Sequence, residues 1–427
     1  MYLVVISVPF RPISHGVAEV ASDWGRSLIL LRDSFGGRFG ELVVAAPALP
    51  PGDGPIKEQQ PMRLHAAVDG IRFVRLGDTR WRARHFWRHY FQVRRRCDEL
   101  ARQADVVHAD TGNLYQPFGH IAFKAACRAG TTTVFVQDGD VVGRLHDLAR
   151  GRSIRHRLKT SAYCWMFQHI VRRAVGRASL SLLKGCAVHA RYGRYARNAR
   201  DFYNTSYSAE SVISHEQLEQ KCMRIQTGRP IRCVSLGRLR DFKHVDHSIR
   251  AVVAAARKGG PVSLDIVGDG PDESRLRSLV AELSAGDVVR LLGPRSYGRE
   301  LLEEIASYDV FIFTSMADET PRAIFDGFAA GCALLTYSLP YTEQVVQQTK
   351  AGRYVSRGDI AALSTVLDAW HLDRNGLCRL IHQAAAAGRA NTAEAWYAHR
   401  AAWTIHAHEA ATCRPSHCMT PGAPVGG

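Results

Sequence analysis

The chain has 427 residues, a formal net charge of +16 from 56 Lys plus Arg against 40 Asp plus Glu, and 46% hydrophobic residues. That length exceeds one ordinary core, so two domains are expected, and the 22% charged fraction excludes wholesale disorder. No apolar run reaches the ~18–20 residues of a membrane-spanning helix, and the opening MYLVVISVPF, lacking a basic flank and a small-residue cleavage site, reads as a first strand rather than a signal peptide.

In chain order, strand-like YLVVISV leads through a polar turn at Ser14, His15 and Gly16 to a helical pattern over Val17 to Leu31. LVVAAP, IRFVRL, ADVVHA and TTTVFV follow as short apolar runs separated by helical stretches, the signature of a parallel sheet covered on both faces. Periodicity lapses between about Tyr203 and Pro230. A second series then begins: IRCVSL, a helix over Val245 to Lys258, VSLDIV, the turn GDGP, and a helix with an acidic start at Asp272 and Glu273. VVRLLG, a helix over Leu301 to Ala306, VFIF, a helix after Pro321 and strand ALLTY complete it, and Thr392 to Ala411 is helical with Trp396 and Trp403 on a packing face.

The reading is an α/β protein of two Rossmann-like, doubly wound domains facing a cleft, where ligands of open α/β sheets bind. Residues 1–205 form the first domain, 206–229 a linker, 230–375 the second domain, 376–412 C-terminal helices that pack back on the first domain, and 413–427 a flexible tail.

Charge is distributed unevenly. From Arg80 to Arg96 there are seven arginines and no acid, and from Arg150 to Arg177 seven arginines, Lys159 and again no acid, which leaves +1 for the rest of the chain. The first segment interleaves Trp81, Phe86, Trp87, Tyr90 and Phe91 with its arginines, and the second carries Tyr163, Trp165, Met166 and Phe167. Aromatics that enter the headgroup boundary and arginines that meet phosphates suit an anionic membrane surface. Nucleic acid could use the same residues, but no nucleic-acid fold motif accompanies them, and a solvated helix face is the plain alternative. The ten cysteines are scattered, as in a reduced cytosolic protein; Cys413, His417 and Cys418 cluster but lack a fourth metal ligand, so no metal site is expected.

Gly237 directly follows IRCVSL, with Arg238 next and Lys243 six positions on; glycine permits the tight exit, and the two cations suit phosphate oxygens. DETPRAIFDGFAAG places Asp318 before a helix that Pro321 can open and Asp326 within it; N-terminal capping and a solvated face are the plain readings of these acids. Gly268-Asp269-Gly270-Pro271 lacks the third glycine of a dinucleotide fingerprint. His108 and Asp110 end a strand and could touch an acceptor, a structural histidine being the alternative, and Glu343 opens a helix.

Together GRLRDFK, DIVGDGP, VVRLLG, DETPRAIFDGFAAGCALL and AGRYV resemble the donor-binding half of family-4 retaining glycosyltransferases, which have the GT-B fold. The resemblance covers about residues 231–370 in order and is looser in the first half, where it rests on the His15-Gly16 turn. It implies that Arg238 and Lys243 neutralise a nucleotide-sugar diphosphate, that Asp318 faces the transferred sugar, and that Asp326 accepts from the ribose. Gly16 would approach the phosphates, and Leu292 to Arg295 the base; Gly237, Glu319 and Pro321 would complete the donor site.

Three departures stand out. Both acids are aspartates where the family has glutamates, Glu319 replaces a glycine, and Gln137-Asp138-Gly139-Asp140 stands where many relatives carry a histidine, so Asp138 or Asp140 would orient sugar or acceptor. The implied activity is retaining transfer of a sugar to a lipid-linked or growing glycan acceptor, by a cytoplasmic protein held peripherally at the inner membrane face through 80–96 and 150–177, without cofactor or metal. The alternative is a catalytically weakened GT-B protein that binds an anionic lipid, glycan or nucleic acid.

Overall fold

A computed structural model describes residues 1–50, 61–149, 151–317 and 319–413. The first half contributes β1 (Tyr2–Val5), β2 (Arg11–Ser14), β3 (Val17–Ala21), β4 (Leu42–Ala48), β5 (Pro61–His65), β6 (Ile71–Asp78), β7 (Val106–Asp110), β8 (Thr132–Gln137), β9 (Leu180–Lys184) and β10 (Ala199–Phe202). Seven of them form one sheet in the order β10-β9-β8-β7-β1-β4-β6, all neighbours parallel. The second half adds β11 (Ile231–Leu236), β12 (Val262–Val267), β13 (Val289–Gly293), β14 (Val310–Phe313), β15 (Ala333–Tyr337) and β16 (Gly352–Val355). They pair in parallel in the order β13-β12-β11-β14-β15-β16.

Buried Val, Ile, Leu and Ala dominate these strands, as parallel sheets covered on both faces require. In each sheet the chain starts near the middle, winds outward on one side and then resumes on the other side of its first strand. The order therefore reverses between β1 and β7 and between β11 and β14, and the loops leaving those carboxyl ends diverge to open a crevice.

Three sequence expectations change. Val17–Ala21 is a strand, not the start of a helix: it pairs antiparallel with β2 and β5 in a small separate sheet, and the helix begins at Ser22. Val-Ala-Glu-Val-Ala fits both periods, and pairing with Pro61–His65 decides between them.

The expected linker at 206–229 contains the helix His215–Gln226, opened by a Ser214–Gln217 capping box. Its Leu218, Cys222 and Ile225 join the second domain's core. Buried Lys221 donates to the carbonyls of Tyr308 (2.7 Å), Ala330 (2.7 Å) and Gly331 (3.0 Å), two of which follow the helix Ala323–Ala329. An interior lysine interrupts the apolar stripe, which is why the sequence loses its period here.

Of the C-terminal helices, Arg374–Ala390 stays with the second domain, where Leu377, Ile381 and Ala385 lie in its core. Only Ala393–Thr412 returns to the first domain, packing on helix Ser22–Ser34. Arg400 fixes that crossing: buried, it donates to the carbonyl of Tyr203 (3.0 Å) and to Asn204 Oδ1 (3.2 Å), and stacks 4.2 Å over Phe202. The tail expected from residue 413 lies outside the described residues beyond Cys413, as do His417 and Cys418.

Lys221→Met keeps the stem but strips three buried carbonyls of their donor. Urea unfolding should show a stability loss of about 2–4 kcal/mol; an unchanged midpoint would show that water replaces the ammonium at no cost.

Candidate active site in the cleft between the sheets

At the β11–β14 switch point the chain leaves β11 through Gly237 and Arg238 and makes a short turn at Asp241–Lys243 before helix Val245–Arg257. The GDGP turn beneath it carries this geometry. A Cβ at Gly268 would stand 1.9 Å from the Gly237 carbonyl oxygen, and one at Gly270 2.1 Å from that of Leu239. Backbone bonds join the two loops, from Gly237 N–H to Val267 C=O (3.0 Å) and from Leu239 N–H to Asp269 C=O (2.6 Å). The glycines thus serve backbone-on-backbone packing, which explains the motif without a dinucleotide.

On that platform Arg238 is exposed and has no side-chain hydrogen bond or ion pair among the described residues. Lys243 is held inward, its Nζ 3.6 Å from Glu319 Oε1 and 5.8 Å from the Phe313 ring centroid, while Thr314 Oγ1 donates to the Lys243 and His244 carbonyls (3.2 and 2.8 Å). Buried Glu319 Oε1 has no hydrogen-bond partner. Neighbouring His244, Asp246 and His247 have the types to ligate a metal, but Arg275 already pairs with Asp246 at 3.2 Å.

Asp318 lies outside the described residues. Pro321 is buried just before helix Ala323–Ala329, and Asp326 is buried within it, which excludes the plain alternative of a solvated face. Tyr297 O–H donates to Asp326 Oδ1 at 3.0 Å, and burial raises the carboxyl's pKa to about 6 against the lowering effects of Tyr297 and Arg322. Tyr297 thereby joins Asp326 to the loop after β13, where Arg295 donates to the Leu292 carbonyl (2.9 Å) and pairs with Glu304 (3.2 Å). Glu343 is taken by Ser338 at a helix start.

The first domain presents its own carboxyl ends. Asp110, closing β7, has a buried Oδ1 without a hydrogen-bond partner; burial raises its pKa to about 7, and the Asp138 charge adds to that. Ser7 Oγ and Thr111 Oγ1 are also buried and unpartnered, and a Cβ on Gly112 would stand 2.8 Å from Ser7 Oγ. Unsatisfied polar atoms gathered at a switch point mark a surface made to meet a ligand. Sequence reasoning found Asp110 but missed Ser7, Thr111 and Tyr297, which have no motif.

Asp138 is exposed and pairs with Lys184 (3.1 Å), whereas Asp140 bonds Arg191 (2.8 Å) and the Gly143 amide (3.0 Å) at a helix start, so Asp140 has a structural task. His108 is turned toward the crossing helix: its Nδ1 meets Tyr2 O–H at 2.9 Å, and burial, then Arg400, lowers its pKa to about 3. That is the hydrogen-bonded, structural arrangement the sequence left as the alternative to an acceptor contact. Gly16 (φ +73°) sits in the β2–β3 hairpin turn, its carbonyl accepting from Ala66, and not in a strand-to-helix loop, because β3 intervenes. The two domains touch beside the loop that carries Glu319 and Pro321, where a Cβ on Gly185, after β9, would stand 2.4 Å from Thr320 Cγ2.

The basic segments lie on helices Ala83–Arg88, Tyr90–Gln103 and Ile154–Arg177; Arg150 lies outside the described residues. Their aromatics divide. Phe86 is fully buried against Phe118 and Trp81 stacks on His89, while Trp87, Phe91 and Trp165 are 53, 77 and 72% exposed. Ile154, Leu158 and Trp165 recur on one side of their helix and are all exposed. Arg94, Arg95 and Arg96 lean on Asp98 and Glu99, so part of the first segment's charge is neutralised just beyond its end.

Comparison with known proteins defines the class. Residues 224–387 match the family model of glycosyl transferases group 1. The GDP-mannose-dependent alpha-mannosyltransferase of Mycobacterium tuberculosis is 27% identical over 349 residues, covering 78% of this chain and 77% of that protein. The UDP-N-acetylglucosamine–peptide N-acetylglucosaminyltransferase GtfA subunit of Streptococcus pneumoniae is 27% identical over 119 residues, 28% of this chain and 23% of its own; this chain thus matches under a quarter of that relative's length. Among solved structures, Anabaena HepE in complex with UDP superposes with a TM-score of 0.63 at 16% identity over 95% of this chain and all of that one. WaaG, a glycosyltransferase involved in lipopolysaccharide biosynthesis, gives 0.58 at 13% over 97% of this chain and all of that one. The chain has the GT-B fold, and its second half carries a group 1 glycosyltransferase domain.

Asp110 keeps its proton in the folded chain to about pH 7, where an ordinary carboxyl releases it near 3.8. The unfolded state therefore loses its proton first, and Asp110's contribution to stability falls as pH rises through that window. Asp110→Asn should melt with wild type near pH 4 and above it at pH 8; a lower melting point at pH 8 would show that Oδ1 has a partner.

Proposed function

We propose that the chain is a retaining glycosyltransferase that moves a sugar from a nucleotide-diphosphate-sugar donor to a lipid-linked or growing glycan acceptor at the cytoplasmic membrane face. The observation that carries the reading is the cation pair at the β11 switch point: Arg238, without a side-chain partner among the described residues, and Lys243, held inward by a glycine-locked platform within a group 1 glycosyltransferase domain. HepE's complex with UDP and the mannosyltransferase relative's GDP-mannose support a nucleotide-sugar donor.

In this reading the bond between the anomeric carbon and the diphosphate oxygen breaks as the acceptor oxygen bonds that carbon on the same face, and the acceptor's proton passes to the departing phosphate oxygen. Negative charge growing on that oxygen meets Arg238 and Lys243, placed before reaction, and this preorganisation lowers the barrier. Side-chain cations do the neutralising, so no metal is required and turnover should survive EDTA. Asp326, with a pKa of about 6, is largely ionised at neutral pH and can accept from the ribose while Tyr297 orients it. Asp318 takes the sugar side on the strength of the resemblance alone. Across the cleft, Asp110 and Asp138 are the acids suited to orient the acceptor, since Asp140 is committed to Arg191.

One observation favours the weakened-enzyme reading: Glu319 competes with a diphosphate for Lys243. A panel of UDP- and GDP-sugars, scored for nucleotide release, separates the two; no turnover and no binding with any donor would sink the enzyme reading.

Arg238→Ala and Lys243→Ala should each lower turnover by about 10²–10³-fold in that assay, with unchanged circular dichroism. Near-normal rates would refute the diphosphate assignment. The membrane reading rests on the exposed stripe beside the arginines: flotation with vesicles should require anionic lipid and fall sharply in Leu158→Glu/Trp165→Glu. Binding to neutral vesicles, or by the variant, would overturn it.

A further inference from the structure

The helix Phe118–Ala129 carries none of the two basic segments, yet it is the floor between them, flanked by Tyr90–Gln103 on one side and Ile154–Arg177 on the other. Two cavities run along it. One, of about 470 Å³, is lined by Trp87, Tyr90, Leu114, Ile121, Met166 and Ile170, with Arg94 and Lys124 among its polar groups. The other, of about 780 Å³, is lined by five cations, Lys124, Arg128, Arg173, Arg177 and Arg197, together with His120 and His169, and by no acid. His120, Lys124, Arg128 and Ile170 line both, so the two form one groove with an apolar half and a cationic half.

The cations of the second half are largely uncommitted. Arg128 pairs with Asp98, but Lys124, Arg173, Arg177 and Arg197 make no ion pair or side-chain hydrogen bond among the described residues. Nδ1 of His120 is buried without a partner. Solvent screens these exposed like charges, but a groove lined by one sign concentrates its field and draws an anion into it.

Placement says what the ligand is not. Thr131 and Ser179, which precede β8 and β9, line the cationic half, so it lies at the amino ends of the strands. Asp110, Asp138 and the donor loop lie at carboxyl ends, across the sheet. An anion bound there does not present a hydroxyl to the reacting sugar.

We propose that this groove holds one anionic phospholipid of the bilayer, its phosphate among Lys124, Arg173, Arg177 and Arg197 and its acyl chain against Trp87, Tyr90, Met166 and Ile170, as an anchor separate from the acceptor. The inference rests on the membrane reading and deepens it. The apolar half favours a lipid over a nucleic acid or free phosphate, which would leave it empty. The neighbouring Ile154, Leu158 and Trp165, all exposed, would lie at the headgroup boundary.

The test uses the full chain, the triple variant Lys124→Gln/Arg173→Gln/Arg177→Gln, and Met166→Asp, all at exposed positions. Short-chain phosphatidylglycerol below its micelle concentration is titrated against Trp fluorescence, with native mass spectrometry for stoichiometry and glycerol phosphate and a single-stranded oligonucleotide as competitors. One lipid should bind per chain, more tightly than glycerol phosphate. The triple variant should bind about a hundred-fold more weakly, each cation near an anionic headgroup contributing roughly five-fold. Met166→Asp should lose the advantage of lipid over glycerol phosphate, with donor-nucleotide binding retained in both variants as the folding control.

Equal binding of lipid and glycerol phosphate, tighter binding of the oligonucleotide, or a triple variant like wild type would each overturn the proposal. Vesicles of phosphatidylcholine with phosphatidylglycerol distinguish the two claims. Vesicle binding equal in wild type and triple variant defeats the groove alone, whereas one bound short-chain lipid without vesicle binding defeats the membrane reading and the anchoring role with it.

Discussion

Parallel pairing in both large sheets is the constraint from which the cleft follows. A parallel strand can be reached only by a crossover, so every carboxyl end of a sheet opens on the same side. Winding outward from the middle in both directions leaves a place where consecutive loops part. Here that happens twice, between β1 and β7 and between β11 and β14. Asp110 and Ser7 gather at the first, Gly237 to Lys243 at the second, and Gly185 meets Thr320 where the domains approach.

Each half then uses its switch point differently. The second packs two glycine loops backbone to backbone and so fixes the backbone from which Arg238 and Lys243 extend. The first leaves polar atoms buried and unpartnered, and it carries a carboxyl that titrates near neutrality. Arg400 ties the crossing helix to the segment joining the domains and also adds to the lowering of the His108 pKa that burial causes, so the link between domains reaches the interior of the first.

How legible a residue was in the sequence followed how local its task is. Strands β11 to β15 and the helices between them were readable almost to their ends, because apolar runs and turn chemistry within ten residues specify them. Arg238 and Lys243 were readable because both follow one glycine at the end of one strand. Val17–Ala21 was misread because one of its two partners, Pro61–His65, is distant in the chain, and the choice between a buried and a solvated Asp326 was left open because it depends on packing around Tyr297. Lys221 hid a helix by placing a charge where the period called for an apolar residue.

By itself the sequence determined the α/β class, the order of most elements, and the concentration of +16 in two segments of the first half. These are sums over local pattern and composition, and folding does not alter them. Only the tertiary structure decided that Gly16 turns a hairpin, that His108 serves the interior, and that Asp110 keeps a proton. It also decided that Arg173 and Arg177 of the second basic segment meet Lys124 and Arg197 around one groove. Each of those depends on which distant atoms exclude water from a side chain, and burial of that kind is a property of packing, with no signature in the spacing of residues along the chain.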